Sequence, residues 1–209
     1  LTDGSEHRAD WVVSAADGRT TIFDMLDGRY VDKEIKDRYG NPKLFQPLVY
    51  VALGVEGTLE ELPASCGGLT YPLDRTLIIA GKEQKVINVR SYCFDPTLVP
   101  KVKTVLIVQY ETYYDYWKNL RKDPDRYTQE KERITADVVA ALEQRFNGIS
   151  ARIEMTDVAT PVTWERYTGN WRGSYEGWLF DAESFTLSMK KTLRGLKNFF
   201  MAGQWANPG

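Results

Sequence analysis

Apolar positions recur at two different periods along this chain, and the period switches from segment to segment. Trp11 to Ala15 alternates like a strand and runs into an Asp17-Gly18 turn. From Thr20 to Leu26 the period lengthens: Ile22, Phe23 and Leu26 share one face of a short helix that Gly28 closes. Val31, Ile35 and Tyr39 keep an i, i+4, i+8 spacing and predict a second short helix, ended by Gly40-Asn41-Pro42. The middle returns to strand-like runs. Leu48–Val55 is one, Leu77–Ala80 and Lys85–Tyr92 form a hairpin joined by Gly81–Gln84, and Thr104–Tyr110 is another. These strands lack the intervening helices that parallel crossovers require, so antiparallel pairing is expected.

Two helices follow. Tyr113, Tyr116, Trp117 and Leu120 make a core stripe that Asp123-Pro124 ends. Thr128 is placed to cap the next helix, with Glu130 and Glu132 in its first turn. Its core stripe is Ile134, Val138, Leu142 and Phe146, and Gly148 stops it. Arg152–Val158 and Asn198–Ala202 read as further strands. The order of helices, strands and helices predicts an α+β fold, a mostly antiparallel sheet covered by helices.

Composition narrows the function. At 209 residues the chain can hold one ordinary core, and its 43% hydrophobic and 27% charged residues are normal for a soluble globular domain. A net charge of -2 argues against nucleic acid as a partner, because phosphate binding needs a basic surface. No apolar run reaches the ~18 residues of a spanning helix. Cys66 and Cys93 read as two reduced, partly buried thiols in a cytoplasmic protein. His7 is the single histidine, which leaves no histidine-based triad or metal site, and no metal ligand set is identified. The sequence contains no G-x-S-x-G, Walker or G-x-G-x-x-G pattern, so any hard chemistry must come from a bound group or from another stretch of sequence. The chain opens on Leu1 and ends just after an apolar strand and turn, from which we expect a piece of a longer protein.

One segment concentrates unusual residues. Ala159 to Trp178 holds three of the six tryptophans (Trp164, Trp171, Trp178) with Tyr167 and Tyr175. Thr160-Pro161 starts a helix and Thr168-Gly169-Asn170 ends it. Gly169, Gly173 and Gly177 are spaced by four, but the Asn170, Arg172 and Glu176 between them exclude a membrane-helix packing motif. Glycines beside large aromatics mean either backbone passing close to something flat or an aromatic satellite core under a Gly-rich loop. Composition leaves both open.

Taken together, Ser14-Ala15-Ala16-Asp17, the Ala159–Gly177 segment and Met201-Ala202-Gly203-Gln204-Trp205 resemble the phytoene desaturase-like family. These are FAD-dependent oxidoreductases of the amine oxidase superfamily that include carotenoid desaturases and retinol saturase-like proteins. The resemblance spans nearly the whole chain. It implies a substrate domain inserted between two halves of a dinucleotide-binding fold, with the N-terminal FAD fingerprint absent here. On that reading residues 1–17 are a remnant of the FAD-binding domain, 18–190 the substrate-binding domain, and 191–209 the start of the returning FAD-binding segment. It further implies that Gly203, Gln204 and Trp205 lie near the cofactor, where a residue without a side chain lets backbone approach. Trp164, Tyr167, Trp171, Tyr175 and Trp178 are the residues expected to line an apolar substrate channel, with Tyr113, Tyr114 and Tyr116 as weaker candidates that fit a core role better.

The implied chemistry is hydride exchange between flavin and a carbon of an isoprenoid-like lipid, with a proton moving at the neighbouring carbon. Glu165 and Arg166 read as a surface pair, and no catalytic residue is named. FAD is the implied cofactor of the longer protein, not a ligand expected on this chain alone. Two other readings remain: a related flavoprotein that oxidises an amine, and a non-catalytic module that binds apolar ligands or a protein. The expected partners are an apolar small molecule and the missing FAD-binding halves. Peripheral contact with a membrane and self-association through an exposed apolar patch go with them.

Overall fold

The computed structural model describes residues 3–59, 62, 67–95, 97–179, 181 and 190–206. It divides into two compact units, Pro47–Trp164 and a second built from Leu1–Gln46 with Glu165–Gly209.

The first unit is an antiparallel sheet of β2 (Leu48–Glu56), β3 (Gly68–Ile79), β4 (Lys82–Ser91), β5 (Lys103–Glu111) and β6 (Ile153–Ala159), in the order β3-β4-β5-β2-β6. The α+β class with a mostly antiparallel sheet is as expected. Strand alternation sends Val49, Val51, Leu53 and Val55 of β2 to one face, with Leu106 and Val108 of β5 and Ile87 and Val89 of β4. Two helices cover that face: α2 (Tyr114–Leu120) and α3 (Pro124–Arg145). Ile134, Val138, Leu142 and Phe146 form the buried stripe of α3 at the predicted spacing. Trp117 of α2 is fully buried among them, and its indole N–H donates to Thr112 Oγ1 at 2.8 Å. That bond removes the penalty of an unpaired donor in the core.

Four expectations need correction here. The α3 cap is Asp123, whose carboxylate accepts from the Arg126 N–H at 3.2 Å, and not Thr128. Proline is tolerated at the first helical position, so Pro124 ends α2 and opens α3. Thr128 lies one turn inside and donates back to the Pro124 carbonyl at 3.0 Å. The hairpin turn is Ala80-Gly81, both at positive φ (50° and 77°), and not Gly81–Gln84. Two such residues give the turn whose twist matches the strands it joins. Leu77–Ala80 is only the end of β3, which starts at Gly68. Tyr113 and Tyr116 are exposed rather than core, since Trp117 and Leu120 fill the buried side of α2.

The second unit pairs β1 (Val12–Ser14) with β7 (Phe199–Met201), and the pair is parallel. A wide helical turn at Thr20–Met25 and α1 (Lys33–Gly40) supply Ile22 and Ile35 to a small core with Leu193 and Met201. Asp32 caps α1 by accepting from Ile35 N–H at 3.0 Å. A further helix, α4 (Pro161–Thr168), begins at Thr160-Pro161 as predicted and straddles the boundary between the units. Cys93 is a free, half-buried thiol, and Cys66 lies outside the described residues. Among the described residues, no helix is long and apolar enough to cross a membrane.

Candidate functional site

Within the Pro47–Trp164 unit, the sheet has a second face that neither α2 nor α3 covers. β2 and β5 are apolar on both faces: Leu48, Tyr50, Ala52 and Gly54 alternate with the buried valines and Leu53, and Val105 and Ile107 with Leu106 and Val108. Such continuous apolar runs belong to strands that are covered on both sides. The register lines this face up in rows. Val105, Gly54 and Met155 form one, and Arg90, Ile107, Ala52 and Asp157 the next. Gln109, Tyr50 and Ala159 form the third.

The shape of the face follows from residue size. Gly54, Ala52 and Ala159 are small, while Tyr50, Ile107 and Met155 stand up around them. A side chain at Gly54 would meet Met155 Cβ at 3.4 Å, so the glycine leaves a shallow trough in the sheet. Trp164, at the C-terminal limit of the unit, packs edge-on against Tyr50 with ring centres 4.9 Å apart. Of the five aromatic candidates, Trp164 is the one attached to this trough. Sequence reading missed the trough itself, although its signal was present. A strand that is apolar at every position needs two covers, and only one set of helices was available.

The other candidates belong to the second unit. Trp171 and Trp178 gather around Tyr39 and Trp205, with ring centres 5.0 to 6.5 Å apart. Trp178 and Trp205 are only 4% and 3% exposed. The Trp178 indole N–H donates to the Trp205 carbonyl at 3.1 Å, and that of Trp205 to Asn170 Oδ1 at 3.4 Å. Arg19 lies over the Trp171 ring at 5.7 Å and over Phe23 at 5.8 Å. The structure leaves Tyr167 (74% exposed) and Tyr175 (41%) at the surface.

Asp17 organises this cluster, a role the sequence did not signal. Its buried carboxylate accepts from Thr20 N–H and from Trp171 N–H, both at 2.8 Å. Burial, reinforced by the negative charge of Asp17, pushes the Tyr39 hydroxyl well above the usual tyrosine range. Gly18 is required by packing: a side chain there would lie 2.9 Å from Trp205 Cβ.

The turn after β7 has two parts. Gly203 takes a positive φ of 82°, and the nearest group to its absent side chain is the Ala15 carbonyl at 3.9 Å. This leaves an open stretch of backbone beside the parallel β1–β7 pair. Gln204 follows, and its carbonyl lies 2.9 Å from where a side chain on Gly177 would sit. At Gly177 the Gly-rich loop thus closes on the Gln204 peptide of the same chain, beside the Trp171–Trp178–Trp205 cluster.

No family model matches the chain. It is similar to the all-trans-retinol 13,14-reductase of Danio rerio, 27% identical over 116 residues that cover 52% of this chain and 19% of that protein. It is also similar to the chloroplastic prolycopene isomerase of Arabidopsis thaliana, 22% identical over 211 aligned residues that cover 100% of this chain and 35% of that protein. The chain therefore spans only about a fifth and about a third of the length of these relatives. Both relatives are enzymes by name, one for reducing retinol and one for isomerising prolycopene. At this low identity they support the coarse family resemblance drawn from the motifs.

Proposed function

We propose that this chain is the substrate-binding part of a FAD-dependent oxidoreductase that desaturates or saturates carbon–carbon bonds of an apolar, isoprenoid-like molecule. The observation that carries this reading is the apolar trough of Gly54, Ala52, Val105 and Ile107 on the sheet face that α2 and α3 leave uncovered. A flat hydrocarbon laid there would bury the side chains that leave β2 and β5 apolar on both sides. The names of the two relatives favour the same substrate chemistry.

A bound flavin supplies the hydride-accepting or hydride-donating chemistry. The residues present suit such a group at one place. Gly203 offers bare backbone at the end of β7, while Gln204 packs on Gly177 and Trp205 anchors the turn in the aromatic cluster. Parallel strands rarely stand as a pair, because parallel sheets are covered on both faces. The β1–β7 pair carries Trp11 and Val13, each 63% exposed, beside Phe200, whose ring stacks on Trp11. On this reading residues 1–17 and 191–209 belong to the FAD-binding part, joined in one compact unit by 18–46 and 165–190, and Pro47–Trp164, the unit that carries the trough, is the body of the substrate domain. An apolar surface of this kind also favours self-association of the isolated chain or a peripheral membrane contact. The amine-oxidising alternative gains no cage from the Tyr39 cluster, whose rings pack on one another and on Arg19.

Binding of all-trans-retinol, read by quenching of tryptophan fluorescence, tests the proposal. We expect saturable quenching that Ala52→Gln weakens about tenfold by filling the trough, roughly 1.4 kcal/mol. Quenching that Ala52→Gln leaves untouched, or no quenching at all, would remove the trough as the substrate wall.

A further inference from the structure

The two edges of the five-stranded sheet are built differently. β3, at one edge, carries Pro72 and a register break between Pro72 and Leu77. Proline and bulges are the usual means of blocking strand addition. β6, at the other edge, has no proline; its one register break falls at its start, between Ile153 and Met155, and from Met155 to Ala159 its register with β2 is regular. Among the described residues no strand lies beyond it.

A groove of about 720 Å³ lies between that edge and α3. Thr128, Thr135, Ala136 and Val139 of α3 form one wall, and Thr156 and Val158 of β6 the other. Its charge is uneven. Arg121 and Lys131 lie over the ring of Tyr127 at 5.0 and 5.9 Å, where the positive end of the α3 dipole also falls. Tyr127 is fixed there by a 2.6 Å hydrogen bond between its hydroxyl and Thr160 Oγ1. The carboxylates of the lining are Glu132, the next residue after Lys131 on α3, and Asp157, which strand alternation assigns to the second face of the sheet.

We propose that this groove takes an extended peptide segment, which adds a strand beyond β6 and sets an acidic residue against Arg121 and Lys131. An unpaired strand edge facing a helix across a groove is the geometry of strand addition: main-chain bonds supply affinity and the helix side reads alternate side chains. A small amphiphilic acid would use the two cations but leave the β6 edge unpaired. The partner is therefore a peptide with a carboxylate at its Tyr127 end and small or β-branched residues along α3. This inference does not depend on the flavin reading.

The test is a titration of the isotope-labelled 209-residue chain with the synthetic peptide Ac-Glu-Glu-Val-Thr-Val-Thr-Val-NH2 and its Lys-Lys counterpart, followed by amide NMR shifts and hydrogen exchange. We expect the acidic peptide to slow exchange across Met155–Ala159 and shift Thr128–Val139. The Lys-Lys peptide should bind about tenfold more weakly. The double variant Arg121→Glu with Lys131→Glu should reverse that preference. Ala136→Gln, an exposed change that helices accept, should weaken both peptides. Any of three results would overturn the proposal. The first is no change at β6 amides with millimolar peptide. The second is displacement of the peptide by decanoate, which shifts α3 alone. The third is β6 amides already protected in a dimer of the chain.

Discussion

The two units solve the burial problem in opposite ways. Pro47–Trp164 is continuous in sequence and closes its core with aliphatic side chains at strand and helix periods. The other unit is assembled from two distant stretches and depends on aromatic rings, buried hydrogen bonds and glycines at close approaches. The first tolerates local rearrangement, because Val, Leu and Ile can repack. The second has little such freedom: the Trp178–Trp205 and Asp17–Trp171 bonds each demand one geometry. Continuity makes a core legible and adaptable, whereas long-range assembly makes it specific and brittle.

The largest effect should come from the core of the Pro47–Trp164 unit. Trp117→Ala removes the biggest fully buried side chain and leaves Thr112 without its donor. We expect a loss of about 3–5 kcal/mol in urea unfolding. A smaller loss would mean that the core around α2 collapses onto the cavity.

Gly177→Ala tests the brittle unit. The residue combines a φ of 75° with a side-chain position 2.9 Å from the Gln204 carbonyl. A cost of about 1–3 kcal/mol is expected, with loss of near-ultraviolet dichroism from the tryptophan cluster. Unchanged dichroism would contradict the packing described for Gln204 and Trp205.

Tyr110→Phe should act in the opposite direction. The buried Tyr110 hydroxyl has no hydrogen-bond partner among the described residues, and burial pushes its ionisation well above the usual range. Removing it should stabilise by about 1 kcal/mol. Destabilisation would reveal a water bridging it to Tyr71, whose hydroxyl is also buried and unpaired.

The smallest effect is electrostatic. Burial alone would raise the Glu130 carboxyl. Hydrogen bonds from Arg133 and Tyr116 and the Arg133 charge nevertheless hold it below its ordinary 4.5. A carboxylate with a lowered folded pKa contributes stability above its unfolded pKa. That contribution fades as pH falls through the folded value. Glu130→Gln should lower stability at neutral pH and flatten the loss below about pH 4.5. An unaltered pH profile would show that the Arg133 network adds nothing at this site.

Legibility divides along the same line as stability. The stripe Ile134, Val138, Leu142 and Phe146 and the runs of β2 and β5 were readable, because one local period sets both the element and its buried face. The first half of β3 was not. Gly68 and Pro72 have low strand propensity, and the hairpin with β4 holds them in line. The parallel β1–β7 pairing joins Val12 to Phe199 and leaves no local trace. Trp171 and Trp178 were picked out by composition, but their partners Tyr39, Asp17 and Trp205 lie far away in sequence. Tyr167 looked equivalent to them and is exposed, because the helix period turns it outward on α4.

The proposed function depends on a bound flavin. The most direct measurement is the visible absorption spectrum of the purified product of the whole gene, with the 209-residue chain recorded beside it. We expect flavin bands in the former and none in the latter. A colourless whole-gene product that stays colourless after FAD is added would contradict the oxidoreductase reading and leave an apolar-ligand or protein-binding module in its place.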